Sequence, residues 1–227
     1  AATRSSGQSS AGYGRFDAMV VGLRVATSRG TLEFGRAPAS AAGPDLRQLV
    51  LGSEGRLGII AEATVRASPL PEKEAFYGLF FPDFESGRAA TRTMVQAGLP
   101  LSMVRMSTAV ETATTLALAG HPRLIGALER LLALRGIGEG KAMLILGMTG
   151  REEVVRAARK EAMSMAGNHG GVQAGRTFGN EWQKSRFRTP YLRNTLWEAG
   201  YAVDTLETAV SWSLVPTTLT AVEAALH

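Results

Sequence analysis

Hydrophobic and polar positions along the chain change rhythm near residue 70. Before it, Met19 to Ala26 is a short apolar run, Ser28-Arg29-Gly30 a tight turn, and Thr31 to Phe34 a second run, the pattern of a β-hairpin. Pro44 and Asp45 open a short helix through Leu51, with Pro44 in its first turn and Asp45 near its positive end. Gly58 to Ala67 alternates as a strand, and Pro69-Leu70-Pro71-Glu72 breaks the chain.

Beyond the break, apolar runs alternate with amphipathic stretches. Phe76 to Phe81 reads as a strand, Pro82-Asp83-Phe84 begins a helix to about Ala97, and Ser102 to Met106 is a second strand. Thr108 to Leu134 is mostly helical, interrupted at Gly120-His121-Pro122, with a Leu/Ile/Ala stripe that belongs to a core. Gly136 to Gly140 turns the chain into a strand at Ala142 to Met148, followed by a helix from Arg151 to about Ala166 and a strand at Val172 to Ala174. Strand–helix–strand thus occurs twice. The expectation is an α+β chain: a ferredoxin-like antiparallel sheet with helices on one face, preceded by a smaller unit, with domains at 1–71 and 72–227. Ala202 to Val210 reads as a further strand, and Trp212 and Pro216 lead into a last helix.

The joint of the first unit is Leu49 to Val65, LVLGSEGRLGIIAEATV. Gly52, Gly55 and Gly58 recur every third residue between two apolar runs, a spacing that turns the backbone sharply and exposes N–H groups to a ligand. Thr3 to Gly14, TRSSGQSSAGYG, is the second such stretch: hydroxyls, N–H groups and the Arg4 guanidinium suit a diphosphate, while Ser/Gly composition equally describes a flexible tail. Gly35 to Gly43 is a small-residue loop.

Composition narrows the chemistry. With no cysteine, disulfides, thiolate metal sites, iron–sulfur ligation and thioether-linked flavin are excluded. His121, His169 and His227 have no ligand spacing, so no metal site is expected, and His169 reads as a turn residue. Net charge is +5, but the arginines are scattered without interleaved aromatics, so the expected partner is a small phosphate-bearing molecule rather than nucleic acid. Arg186, Arg188 and Arg193 lie among Phe187, Tyr191 and Trp197, a pattern explained by solvated arginines on a helix that Pro190 opens. No apolar run approaches membrane-spanning length.

The string GSEGRLGIIAEAT resembles the flavin-contacting segment of FAD-linked oxidases of the vanillyl-alcohol-oxidase type. Together with TRSSGQSSAGYG, VVGLRVATSRG, LPLSMVRM and YLRNTLWEAGYAVDTLETAVSW, it is similar to the alkyldihydroxyacetonephosphate synthase family. The resemblance implies FAD as cofactor, contacted by Thr3, Arg4, Ser5 and Ser6 and by Glu54, Gly55, Arg56, Leu57, Gly58, Ile59 and Ile60. It implies Arg105, in SMVRM, as a catalytic residue near the flavin. Ser5 stands where an alanine is common and Arg56 where a threonine is common. The first FAD lobe is expected before Ala1 and a tyrosine and histidine cluster after His227, so the chain is the second FAD lobe plus most of a cap domain.

The implied activity is exchange of the acyl chain of an acyl-dihydroxyacetonephosphate for a fatty alcohol in ether-lipid synthesis. Peripheral membrane association, a homodimer, and a cytoplasmic or membrane-peripheral location are further expectations. The alternatives are an FAD-linked 2-hydroxy-acid dehydrogenase or oxidase and a non-catalytic folded fragment or interaction module.

Overall fold

The structure is a computed structural model that describes residues 1–35, 43–119, 122–186 and 189–226. After α1 (Ser10–Tyr13) and α2 (Phe16–Met19), β1 (Val20–Thr27) pairs antiparallel with β2 (Gly30–Phe34), giving the hairpin read from the sequence. Thr27 closes its turn, Oγ1 donating to the Gly30 carbonyl at 2.7 Å. The helix expected from Pro44 is shorter, α3 (Arg47–Val50). Asp45 stands ahead of its N-cap Leu46 and accepts from the Arg47 N–H at 3.1 Å, so it flanks rather than joins the helix. The loop expected between Gly35 and Gly43 lies almost wholly outside the described residues.

β3 (Ile59–Val65) pairs with the other side of β1, in the order β2-β1-β3. Val20, Leu23 and Val25 face inward against Val50 and Leu51, which makes the small core of this unit. On the outer face Arg24 is opposite both Glu33 and Glu62 and pairs with each. Such exposed pairs contribute under about 1 kcal/mol each.

The second sheet holds β4 (Lys73–Phe81), β5 (Leu101–Ser107), β6 (Ala142–Gly150) and β7 (Val172–Gln173), in the order β5-β6-β4-β7 with all neighbours antiparallel. β4 and β5 therefore run parallel with β6 between them, joined by α4 (Phe84–Gln96): the split β-α-β arrangement of a ferredoxin-like fold. α4 begins where Asp83 accepts from the Ser86 N–H at 2.7 Å. α5 (Ala109–Leu118) begins with a capping box of Thr108 and Glu111. α6 (Pro122–Ala133) follows, and the interruption expected at Gly120 and His121 lies outside the described residues.

Period-two alternation sorts the core. Ala75, Tyr77, Leu79 and Phe81 with Leu144, Leu146 and Met148 face α4 and α7 (Glu152–Asn168), whose small Ala158, Ala162 and Ala166 admit the helix close to the sheet. Phe76, Phe80, Met103, Met143 and Ile145 point the other way, against Leu116, Leu132, Ile137 and Phe178. Helices therefore cover both faces of the sheet, where one face was expected, because α5, α6 and α8 (Thr177–Ser185) return across the second face. This double burial is why AFYGLFF reads as a continuous apolar run instead of alternating. Phe80 meets Phe178 edge to face at 5.5 Å.

After α9 (Thr189–Glu198) comes the clearest departure from the sequence reading. Ala202 to Val210 forms no strand, and the chain runs irregular and largely exposed to α10 (Val215–Leu226). A strand exists only as part of a ladder. On the second sheet α1 lies against the β5 edge, and the β7 edge offers only two residues, so little edge there is left to pair with this segment.

Candidate cofactor site

The two glycine-rich stretches singled out from the sequence, 47 residues apart, are stitched together in space. Arg4, in a left-handed conformation with φ +50°, donates from Nε to the Leu51 carbonyl at 2.6 Å and from Nη2 to the Gln48 carbonyl. Main-chain bonds reinforce the seam: Gly52 N–H to the Ala1 carbonyl at 3.2 Å and Glu54 N–H to the Ala2 carbonyl at 3.2 Å. A Cβ at Gly52 would sit 2.8 Å from the Arg4 side chain, so glycine there makes room for the stitch. Arg4 thus spends donors on the protein's own carbonyls, and its part in the site is to brace the two segments.

What the seam leaves open suits an anionic, hydrogen-bonding ligand. Among the described residues, the main-chain N–H groups of Thr3, Ser5, Ser6, Gly55 and Leu57 have no hydrogen-bond partner. The Ser53 hydroxyl is buried and unpartnered at the same turn. Glu54 and Gly55 turn left-handed in succession, φ +51° and +86°, and a Cβ on Gly55 would meet only open space. Gly58 differs: a Cβ there would lie 2.6 Å from the Ala26 carbonyl, so that glycine serves the packing of β3 on β1. Arg56 is exposed, and Leu57 and Ile59 present apolar surface at 52% and 72% exposure, while Ile60 packs against the small core.

Arg105 lies at the other side of α1. It sits in β5 opposite Ile145, on the sheet face that carries Met103 and Phe76, half-buried, and its side chain makes no hydrogen bond or ion pair among the described residues. The link from Arg105 to the loop was not legible beforehand. α1, which begins four residues after Ser6, docks on β5 at Leu101 and Ser102, and Tyr13 Oη is 2.9 Å from Thr149 Oγ1. The structure therefore joins the segment ending at Arg4 to the turn at Gln48 to Glu54, from which the chain continues into Gly55 to Ile60, and ties that seam through α1 to the strand that bears Arg105. His169 closes α7, its ring nitrogen Nε2 3.2 Å from Thr93 Oγ1, as a turn residue should. Arg193 stacks over the exposed Trp197 ring at 5.7 Å.

Residues 70–227 match the family described as FAD linked oxidases, C-terminal domain. The chain belongs to that family. FAD is therefore the cofactor of the enzymes it belongs with, and the open N–H groups and the orphaned Ser53 hydroxyl fit such a group.

Among the relatives of this FAD-linked oxidase chain, alkyldihydroxyacetonephosphate synthase of Dictyostelium discoideum is 28% identical over 223 residues, covering 95% of this chain and 36% of that protein. An uncharacterized FAD-linked oxidoreductase of Escherichia coli is 39% identical over 107 residues, 46% of this chain and 22% of that protein. A probable mitochondrial D-lactate dehydrogenase of Danio rerio is 38% identical over 109 residues, with the same two coverages, 46% and 22%. A solved structure of alkyldihydroxyacetonephosphate synthase superposes with a TM-score of 0.73 at 28% identity, covering 86% of this chain and 36% of that one. The chain spans about a third of the length of the synthases it matches.

Proposed function

We propose that this chain is the second FAD lobe (1–71) and the cap (72–227) of an alkyldihydroxyacetonephosphate synthase-like enzyme. The observation that carries this reading is coverage. Similarity to the synthase extends over 95% of the chain, cap included, whereas similarity to the D-lactate dehydrogenase covers 46%. The reaction is exchange of the fatty acid of an acyl-dihydroxyacetonephosphate for a long-chain alcohol, forming an ether.

In this reading FAD, once bound, supplies the reactive ring system, and the protein binds, orients and neutralises. Thr3, Ser5, Ser6, Gly55 and Leu57 offer N–H groups to the cofactor, Arg4 fixes the seam that aims them, Glu54, Arg56 and Ile59 complete that surface, and Gly58 and Ile60 support it by packing β3 on β1. Arg105 is the catalytic residue. Its guanidinium, with no competing partner among the described residues, holds the substrate phosphate or the negative charge that develops at the reacting centre. The substrate is a phosphate-bearing lipid, reached by peripheral association with a membrane, and the enzyme is a homodimer. Among the described residues no helix is long and apolar enough to cross a membrane.

The test is anaerobic mixing of the full-length protein with acyl-dihydroxyacetonephosphate and a fatty alcohol, following fatty-acid release and flavin absorbance. Release of fatty acid and ether formation without an external electron acceptor is expected. Lasting flavin bleaching by D-lactate or another 2-hydroxy acid, with no acyl exchange, would replace this reading with the dehydrogenase. Neither reaction would leave a non-catalytic module.

A further inference from the structure

We infer that Gly12 is a positioning residue that sets the spacing between the cofactor loop and Arg105. Gly12 lies in α1, in a helical backbone conformation open to any residue, so nothing about its φ demands glycine. Space does. A Cβ at Gly12 would stand 2.6 Å from the Ser102 Cα and 2.9 Å from the Leu101 carbonyl oxygen, both main-chain atoms of the edge strand β5 that cannot swing aside. Normal packing needs roughly 3.5 Å or more between such atoms, so even a methyl group displaces α1 from β5 by somewhat under 1 Å.

Both ends of this contact lead to the site. From Gly12 the chain runs back through a cinched loop: Gly7 N–H bonds Ser10 Oγ at 2.8 Å, and Phe16 N–H bonds the Ser5 carbonyl at 3.3 Å, so a shift of α1 is passed to Ser5 and Ser6. From Ser102, where the β5–β6 register shifts, the strand reaches Arg105 three residues on, about 10 Å along β5, and is ladder-paired with β6 from Met103 onward. Tyr13, hydrogen-bonded to Thr149 at the end of β6, latches the same docking from the next residue. The Gly12 contact thus links the groups that orient the cofactor to the strand that carries the charge serving the substrate. A misplacement near 1 Å costs on the order of a hundredfold in rate.

This inference rests on the flavoenzyme reading above, and the experiment separates the two. Full-length wild type, Gly12→Ala, Gly167→Ala, Arg105→Lys and the Gly12→Ala/Arg105→Lys double variant are compared for FAD content, the visible spectrum of the bound flavin, melting temperature, and kcat and KM for acyl exchange. Gly167, in α7 and away from the site, is the internal control, since a Cβ there meets nothing within 4 Å.

Gly12→Ala is expected to keep its FAD and fold, to shift the bound-flavin spectrum, and to lose kcat by roughly ten- to a hundredfold, while Gly167→Ala matches wild type. The double variant is expected to be little worse than Arg105→Lys, because both changes spoil one geometric relationship. Should Gly12→Ala not fold, Tyr13→Phe decides: it removes the latch without adding bulk and should lose kcat several-fold, again without adding to Arg105→Lys. Variants that match wild type in spectrum and kcat, or losses that multiply, would overturn the positioning role. A wild type that holds no FAD would overturn the flavoenzyme reading itself, and this inference with it.

Discussion

Arg4 Nε donates to the Leu51 carbonyl at 2.6 Å, joining the ends of the two glycine-rich stretches across 47 residues of chain. A carbonyl at the end of a short helix is an acceptor in need of a donor, and a guanidinium reaches two at once. Replacing Arg4 with methionine keeps the stem and removes the bonds. The expected result is a loss of about 1–2 kcal/mol in stability, discounted for partial exposure, together with loss of FAD from the full-length protein. Thermal melting and flavin content check this, and unchanged flavin content would show that the seam does not organise the site.

Gly58→Val should act on folding before it acts on any ligand. With φ +135° and the Ala26 carbonyl 2.6 Å from a Cβ, the substitution forces β3 off β1 and should cost about 3 kcal/mol or more. The melting temperature of the 227-residue chain itself is the measurement, since the clash lies wholly within it.

Stability at low pH should register Asp45. Its side-chain bonds with Arg47, bidentate at 2.7 to 3.2 Å, hold its carboxyl below the ordinary aspartate value, against the opposing effect of burial. Because the folded-state pKa is depressed, the contribution is full above the ordinary aspartate pKa and is lost as pH falls through the folded value. Asp45→Asn should therefore lower the melting temperature near pH 6 and converge with wild type at the acid end of a pH series. Arg47 also donates to the Val21 carbonyl at 2.6 Å, so the same pair ties α3 to β1.

Arg88 tethers the irregular stretch before α10. It pairs with Glu85 and donates from Nη1 to the Trp212 carbonyl at 3.1 Å, and its own side chain is 15% exposed. Arg88→Ala should speed limited proteolysis within residues 201–214 while leaving the sheet's melting transition nearly in place, because few buried contacts hold that stretch. Cleavage rates indistinguishable from wild type would mean the tether does not hold it.

The parts of this fold that were legible in the sequence are those whose burial is local and periodic. The β1–β2 hairpin announces itself by its turn, and β4, α4, β5, β6 and α7 by apolar runs and the Asp83 cap. What was not legible depends on contacts between distant segments. Nothing in the run around Phe76 and Phe80 says which helices cover its second face, since a buried strand reads the same under either. Ala202 to Val210 carries the Val and Thr residues of a strand, but pairing is decided by free sheet edges that sequence does not reveal. In the site, the glycine spacing exposed the hinge, and the similarity to flavoproteins supplied Arg105. The need for Gly12 was hidden, because a glycine required for close approach looks the same in a Ser/Gly-rich stretch as one required for nothing.

The central claim is that the hinge presents its backbone, not its side chains, to FAD. It is tested most directly by the flavin content of purified full-length Gly55→Val and Arg56→Thr proteins. Gly55 combines φ +86° with open space where a ligand would approach, so valine both strains the turn and fills that space, whereas the Arg56 side chain is exposed. The account predicts that Gly55→Val is purified without flavin and that Arg56→Thr carries wild-type content. Full flavin in Gly55→Val with loss in Arg56→Thr would contradict it.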